Sequence, residues 1–120
     1  MNDAAPSGGS NATERWWSAA EALAEQRARN RELNLPYGPR HPVDGGPAVV
    51  LLMDWDRTGG RLQRTLHDKF QSLDVRVDES LRRRLMVALK PETKVVEGMI
   101  GLVDALRPLI DAIDQSEPSM

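Results

Sequence analysis

Ala48-Val-Val-Leu-Leu-Met-Asp54-Trp-Asp56-Arg-Thr-Gly59-Gly60 is the stretch on which the fold reading turns. Its apolar half is short, β-branched at Val49 and Val50, and bounded by Gly46-Pro47 before and Gly59-Gly60 after. That is the pattern of a buried strand. Side chains two apart on a strand project to the same side. Asp54 and Asp56 are therefore expected to hold two carboxylates close together at the strand's carboxyl end, where open α/β sheets bind ligands. At about 5 Å and an effective dielectric near 20, two such anions repel by roughly 3 kcal/mol. A cation, a shared proton or a neighbouring arginine must relieve that repulsion.

Downstream, Leu62, Leu66, Phe70 and Leu73 recur at i, i+4, i+8 and i+11, one apolar face of a helix over 59–73. Val75-Arg76-Val77 alternates as a second short strand. Ser80 is placed to cap a helix over 81–89, which Pro91 ends. From Glu92 a last helix carries Val96, Met99, Ile100, Val103, Leu106, Ile110 and Ile113, and Pro108 should kink or divide it. Upstream, Asn11 or Thr13 can cap a helix running to Leu33. Trp16, Trp17, Ala20, Leu23 and Ala24 lie in its first half, and its polar second half, 25–32, is expected in solvent. Four prolines in 34–47 bar a helix or a central strand there and set the first helix apart as a separate attachment. The layout is thus a tail at 1–10, a helix at 11–33, a linker at 34–47, an α/β unit at 48–114 and a polar tail at 115–120.

With 120 residues the chain is the length of one domain with a modest core. The net charge of −2 is unevenly spread. Residues 57–90 carry nine Lys/Arg against four acids, a net +5, and residues 91–120 carry a net −4. Such a basic middle suits either a phosphate-rich partner or pairing with the acidic C-terminal helix. The absence of cysteine excludes disulfides and thiolate zinc sites, and His41 and His67 have no metal-pair spacing. No apolar stretch approaches the roughly 18 residues of a membrane span, and no charged-then-apolar leader opens the chain. The expectation is a cytoplasmic protein with no membrane partner. Trp16-Trp17 offers the first helix as a surface for a protein partner or a second copy.

The order strand, Asp54-x-Asp56, x-x-Gly59, helix resembles the Toprim domain of topoisomerases, primases and related nucleases, above all its small stand-alone archaeal form. The resemblance covers roughly residues 47–105 and implies a small parallel sheet flanked by helices, with the first helix as an addition. It implies that Asp54 and Asp56 hold Mg2+ (or Mn2+), which positions phosphate during strand cleavage or transfer. Hard carboxylate oxygens suit that ion. Gly59 and Gly60 would let backbone amides approach the phosphate, with Arg57 or Arg61 contacting it directly. Arg64, Arg82, Arg83 and Arg84 would extend the surface along nucleic acid. The glutamate strand that opens Toprim domains has no counterpart: Glu14, Glu21, Glu25 and Glu32 all fall in the first helix, and Val95-Val-Glu97-Gly98 lies downstream. Metal binding is therefore favoured over catalysis, and no residue is given a catalytic role.

Two other readings fit the same residues. Four apolar residues before Asp54-x-Asp56-x-Thr58 resemble the first motif of haloacid-dehalogenase-like phosphohydrolases, which also need a later lysine; Lys69, Lys90 and Lys94 are the candidates. Alternatively the chain is a non-catalytic binding or scaffold protein. Asp54 and Asp56 would then pair with Arg57, Arg61 or Arg64, or cap the helix that follows.

Overall fold

The computed structural model describes residues 12–33, 40–44 and 46–116. The tail at 1–10, Asn11, linker residues 34–39 and 45, and residues 117–120 lie outside them. Four helices dominate: α1 (Ala12–Leu33), α2 (Arg57–Ser72), α3 (Ser80–Leu89) and α4 (Val103–Ser116), with a 3₁₀ segment at Val96–Leu102. Two strands, β1 (Val49–Val50) and β2 (Val77–Asp78), pair in parallel with Val49 opposite Val77 and Val50 opposite Asp78. The α/β reading survives only in this coarse form, since the sheet has two strands of two residues each.

The expected strand over 48–54 is shorter for a reason that can be traced bond by bond. Val49 N donates to Arg76 O at 2.9 Å and Leu51 N to Asp78 O at 3.2 Å. Beyond Leu51 the backbone leaves the ladder, and side chains take over its hydrogen bonds, as buried peptide groups require. Gln63 Nε2 donates to Leu51 O at 3.4 Å and Gln63 Oε1 accepts from Met53 N at 3.3 Å. Arg82 donates to Met53 O from Nε at 2.9 Å and to Asp54 O from Nη2 at 2.8 Å. β2 sits at Val77–Asp78 rather than 75–77, because Asp78 Oδ1 then accepts from Ser80 N and Oγ at 2.8 and 2.6 Å. Asp78, not Ser80, thus supplies the side-chain bond that turns the chain into α3, and Ser80 is already that helix's first residue.

α2 begins at Arg57, two residues before the expected start, because the Asp56 side chain caps it. Its buried residues are Gly59 and Gln63, whereas Leu62 and Leu73 of the expected inward stripe are 49% and 69% exposed. The last helix also differs. Residues 92–95 turn, 96–102 wind as 3₁₀, and α4 starts at Val103 and runs through Pro108, so the division falls before the proline rather than at it.

The largest correction concerns α1, which is no separate attachment. Ala19 and Ala22 are buried in the same cluster as Trp55, Leu81, Leu85, Ala88, Leu89 and Leu106. Alanines at 19, 20, 22 and 24, all essentially inaccessible, let α3 and α4 approach α1 closely. Nor is the second half of α1 simply solvated: Arg27 pairs with Asp111 and Asp114, and Arg31 with Asp114. The acidic C-terminal helix is therefore matched by α1, not by the basic middle of the chain.

Arg15 Nη2 donates to Glu92 Oε2 at 2.6 Å, both side chains about four-fifths buried. That donor holds the Glu92 carboxyl below its ordinary value, against the opposing effect of burial. A depressed folded-state value contributes stability above the unfolded carboxylate range, near 4.3, that is lost as pH falls through the folded value. Arg15→Ala should cost about 1–2 kcal/mol at neutral pH, and the deficit should shrink once Glu92 is protonated. Urea unfolding from about pH 6 down to pH 3 tests this; a deficit of constant size would refute the coupling.

Candidate functional site

Asp54 and Asp56 do share one cleft, with Trp55 between them turned inward and 7% exposed. Trp55 is fixed there by its Nε1, which donates to Thr93 O at 2.5 Å, and by its amide, which donates to Lys94 O at 2.9 Å. The cleft encloses about 360 Å³ between Leu52, Met53, Thr58, Gly59, Leu62 and Val96, with Glu97 at its edge. Each aspartate spends one oxygen on the fold. Asp54 Oδ1 accepts from Val96 N at 2.6 Å, and Asp56 Oδ1 accepts from Gly59 N at 2.7 Å. The lining holds three carboxylates (Asp54, Asp56 and Glu97) and no lysine or arginine. Among the described residues no three His, Cys, Asp or Glu side chains gather tightly enough to hold a metal ion by themselves. The Asp–Arg pairing considered from sequence is absent there too, since Arg57, Arg61 and Arg64 make no ion pair with either aspartate. None of Lys69, Lys90 or Lys94 lines the cleft.

The glycines behave differently from the sequence expectation. The amides of Gly59 and Gly60 are already used, donating to Asp56 Oδ1 and to Asp56 O at 2.9 Å, so neither is free for phosphate. Gly59 is needed for contact: a Cβ there would lie 1.9 Å from Asp54 O. Gly60 has nothing within 4 Å of its missing Cβ.

Arg82, Arg83 and Arg84 do not form one surface. Arg82 turns in to the carbonyls of Met53 and Asp54, Arg83 is exposed, and Arg84 pairs with Glu25 of α1 at 2.5 Å. Arg57, Arg61 and Arg64 instead rise along the solvent side of α2 at i, i+4 and i+7, all exposed.

Sequence reasoning missed a second hollow, of about 370 Å³, lined by Gly60, Gln63, Arg64, His67, Glu79 and Arg82. His67 Nδ1 lies 3.0 Å from Glu79 Oε1, although the pair lacks hydrogen-bond alignment. Gln63 Nε2 donates to Glu79 Oε2 at 3.0 Å. A glutamine four residues before a histidine on one predicted helix was the available sequence signal; the partner glutamate, twelve residues further on, carried none.

Over 62 residues, 52% of this chain, the sequence is 37% identical to a UPF0292 protein of Methanosarcina barkeri and 32% identical to a UPF0292 protein of Methanosarcina acetivorans. The matched stretch covers 43% of each relative, so the comparison reaches less than half of their length. No family model and no solved structure matches the chain. The Toprim resemblance is overturned on this comparison: the relatives bear a different family name, and no Toprim model matches.

Proposed function

We propose that the Asp54–Asp56 cleft binds a hydrated divalent cation, Mg2+ or Mn2+, and through it a phosphate group of nucleic acid, without turnover. The observation that supports this reading is the charge of the lining: three carboxylates with no basic side chain among them. Carboxylates that share a cleft with no basic side chain favour a cation. Mg2+ keeps several waters and takes one or two carboxylates plus a ligand phosphate, which accords with the second oxygens of Asp54 and Asp56 and with the lack of a three-residue cage among the described residues. Arg57 and Arg61, exposed on the helix whose Thr58 and Gly59 line the cleft, would contact further phosphates. The reading is confined to binding, the step that the carboxylate lining supports by itself.

A scaffold role is the second reading, favoured by the hydrogen bonds that Asp54 and Asp56 give to the fold. Asparagine separates the two, since its side-chain carbonyl can still accept from Val96 N and Gly59 N while the charge is gone. Under the cation reading, millimolar Mn2+ broadens the amide signals of 53–60 and 96–97, and Asp54→Asn with Asp56→Asn removes that response. Absence of broadening in the native protein, or equal broadening in the double variant, would overturn it and leave the scaffold.

A further inference from the structure

We propose that Arg64, His67 and Arg82 form a second binding site, independent of any metal, that takes a phosphate group on the flank of α2 opposite the aspartate cleft. The two hollows divide along α2: Thr58, Gly59 and Leu62 line one, and Gly60, Gln63, Arg64 and His67 line the other. Four features of the second hollow converge on an oxyanion.

The guanidinium of Arg82 is fixed in place, because Nε and Nη2 are bound to the carbonyls of Met53 and Asp54, which leaves Nη1 for a ligand. Arg64 is exposed, makes no ion pair among the described residues, and reaches the hollow from the other side. Guanidinium groups match the oxygens of phosphate in charge and in planar geometry.

Glu79 is the one acid in the lining, and its charge is engaged. Oε2 accepts from Gln63 and Oε1 faces His67 Nδ1. Gln63 is itself 4% exposed and tied to the backbone at Leu51 and Met53, so the glutamate cannot swing into the hollow without breaking that set. With Nδ1 on the carboxylate side, the other ring nitrogen is the one left for a ligand. Two arginines therefore face one hydrogen-bonded glutamate, and the hollow is short of negative charge.

Gly60 completes the argument. A glycine inside a helix is destabilising relative to alanine, and here the missing Cβ would meet no atom within 4 Å. Packing does not require the glycine, and its effect is to keep the wall of the hollow open.

The probe is inorganic phosphate, titrated at constant ionic strength with a chelator present, so that the aspartate cleft and its cation play no part. Saturable shifts of the Gly60 amide, the Arg64 Nε–H and the His67 ring signals are expected. Arg64→Ala should weaken the phosphate affinity by about fivefold or more, with partial recovery in Arg64→Lys. His67→Gln should weaken it as well, and Gly60→Glu, which puts a carboxylate into the hollow without a backbone clash, should abolish it. Arg61→Ala, on the same helix but outside the hollow, is the control and should change little. Shifts that stay linear in phosphate, or an equal loss from Arg61→Ala and Arg64→Ala, would overturn the site and show only general attraction to a basic helix. Because no metal is present, neither result bears on the cation reading of the other cleft.

Discussion

Gly59→Ala is expected to lower stability by about 3 kcal/mol or more, with a fall in the unfolding midpoint of more than roughly 10 °C. An added Cβ would stand 1.9 Å from the Asp54 carbonyl oxygen, 2.4 Å from its carbon and 2.7 Å from Asp54 Cβ. These are mostly backbone atoms, which cannot rotate aside as the end of a side chain could. Relief requires α2 to lift away, and lifting it stretches the Gln63 bonds to Leu51 and Met53 as well. Gly60→Ala, one residue on, should do the opposite and stabilise by about 0.5–1 kcal/mol, since its Cβ enters open space in an already helical backbone. Thermal or urea unfolding of the two variants side by side is the measurement. Similar small effects at both positions would mean that α2 does not seat on the Asp54 carbonyl.

Arg82→Ala should destabilise by about 2–4 kcal/mol, because two part-buried carbonyls lose their donors together. Arg82→Lys should recover little, since one ammonium cannot reproduce the separated Nε and Nη2 donors. Arg83→Ala, at the next position and exposed, should stay within about 0.5 kcal/mol of the native protein. Chemical unfolding midpoints decide it: three equal, small effects would mean that Arg82 is an ordinary surface arginine and that residues 53–54 are held by something else.

Part of this was legible in the sequence. Helical periodicity and capping residues located α1 nearly to the residue, and the i, i+2 spacing brought Asp54 and Asp56 to one cleft. Periodicity did not reveal what covers an apolar face. The leucines of α2 predicted an inward stripe, yet Gln63 is buried because it replaces the ladder that β1 gives up. Alanines carried too weak an apolar signal to show that α1 belongs to the core. The prolines of 34–47 mark where regular structure stops, not whether the elements on either side pack together. The His67–Glu79 contact joins a helix to the turn before the next one, a proximity that no local motif encodes.

The packing of α1 against α4 bears on how the protein is made. Of the described helices, these are the first and the last to leave the ribosome, and Ala19 meets Leu106 in one cluster. A nascent chain released as far as α3 still lacks one wall of its interior, so docking must wait for the closing helix. Contacts between distant parts of a chain slow folding and prolong the exposure of apolar surface. Over that interval the side of α1 that α4 covers stays open to water, and the last of the described helices is the one that closes it.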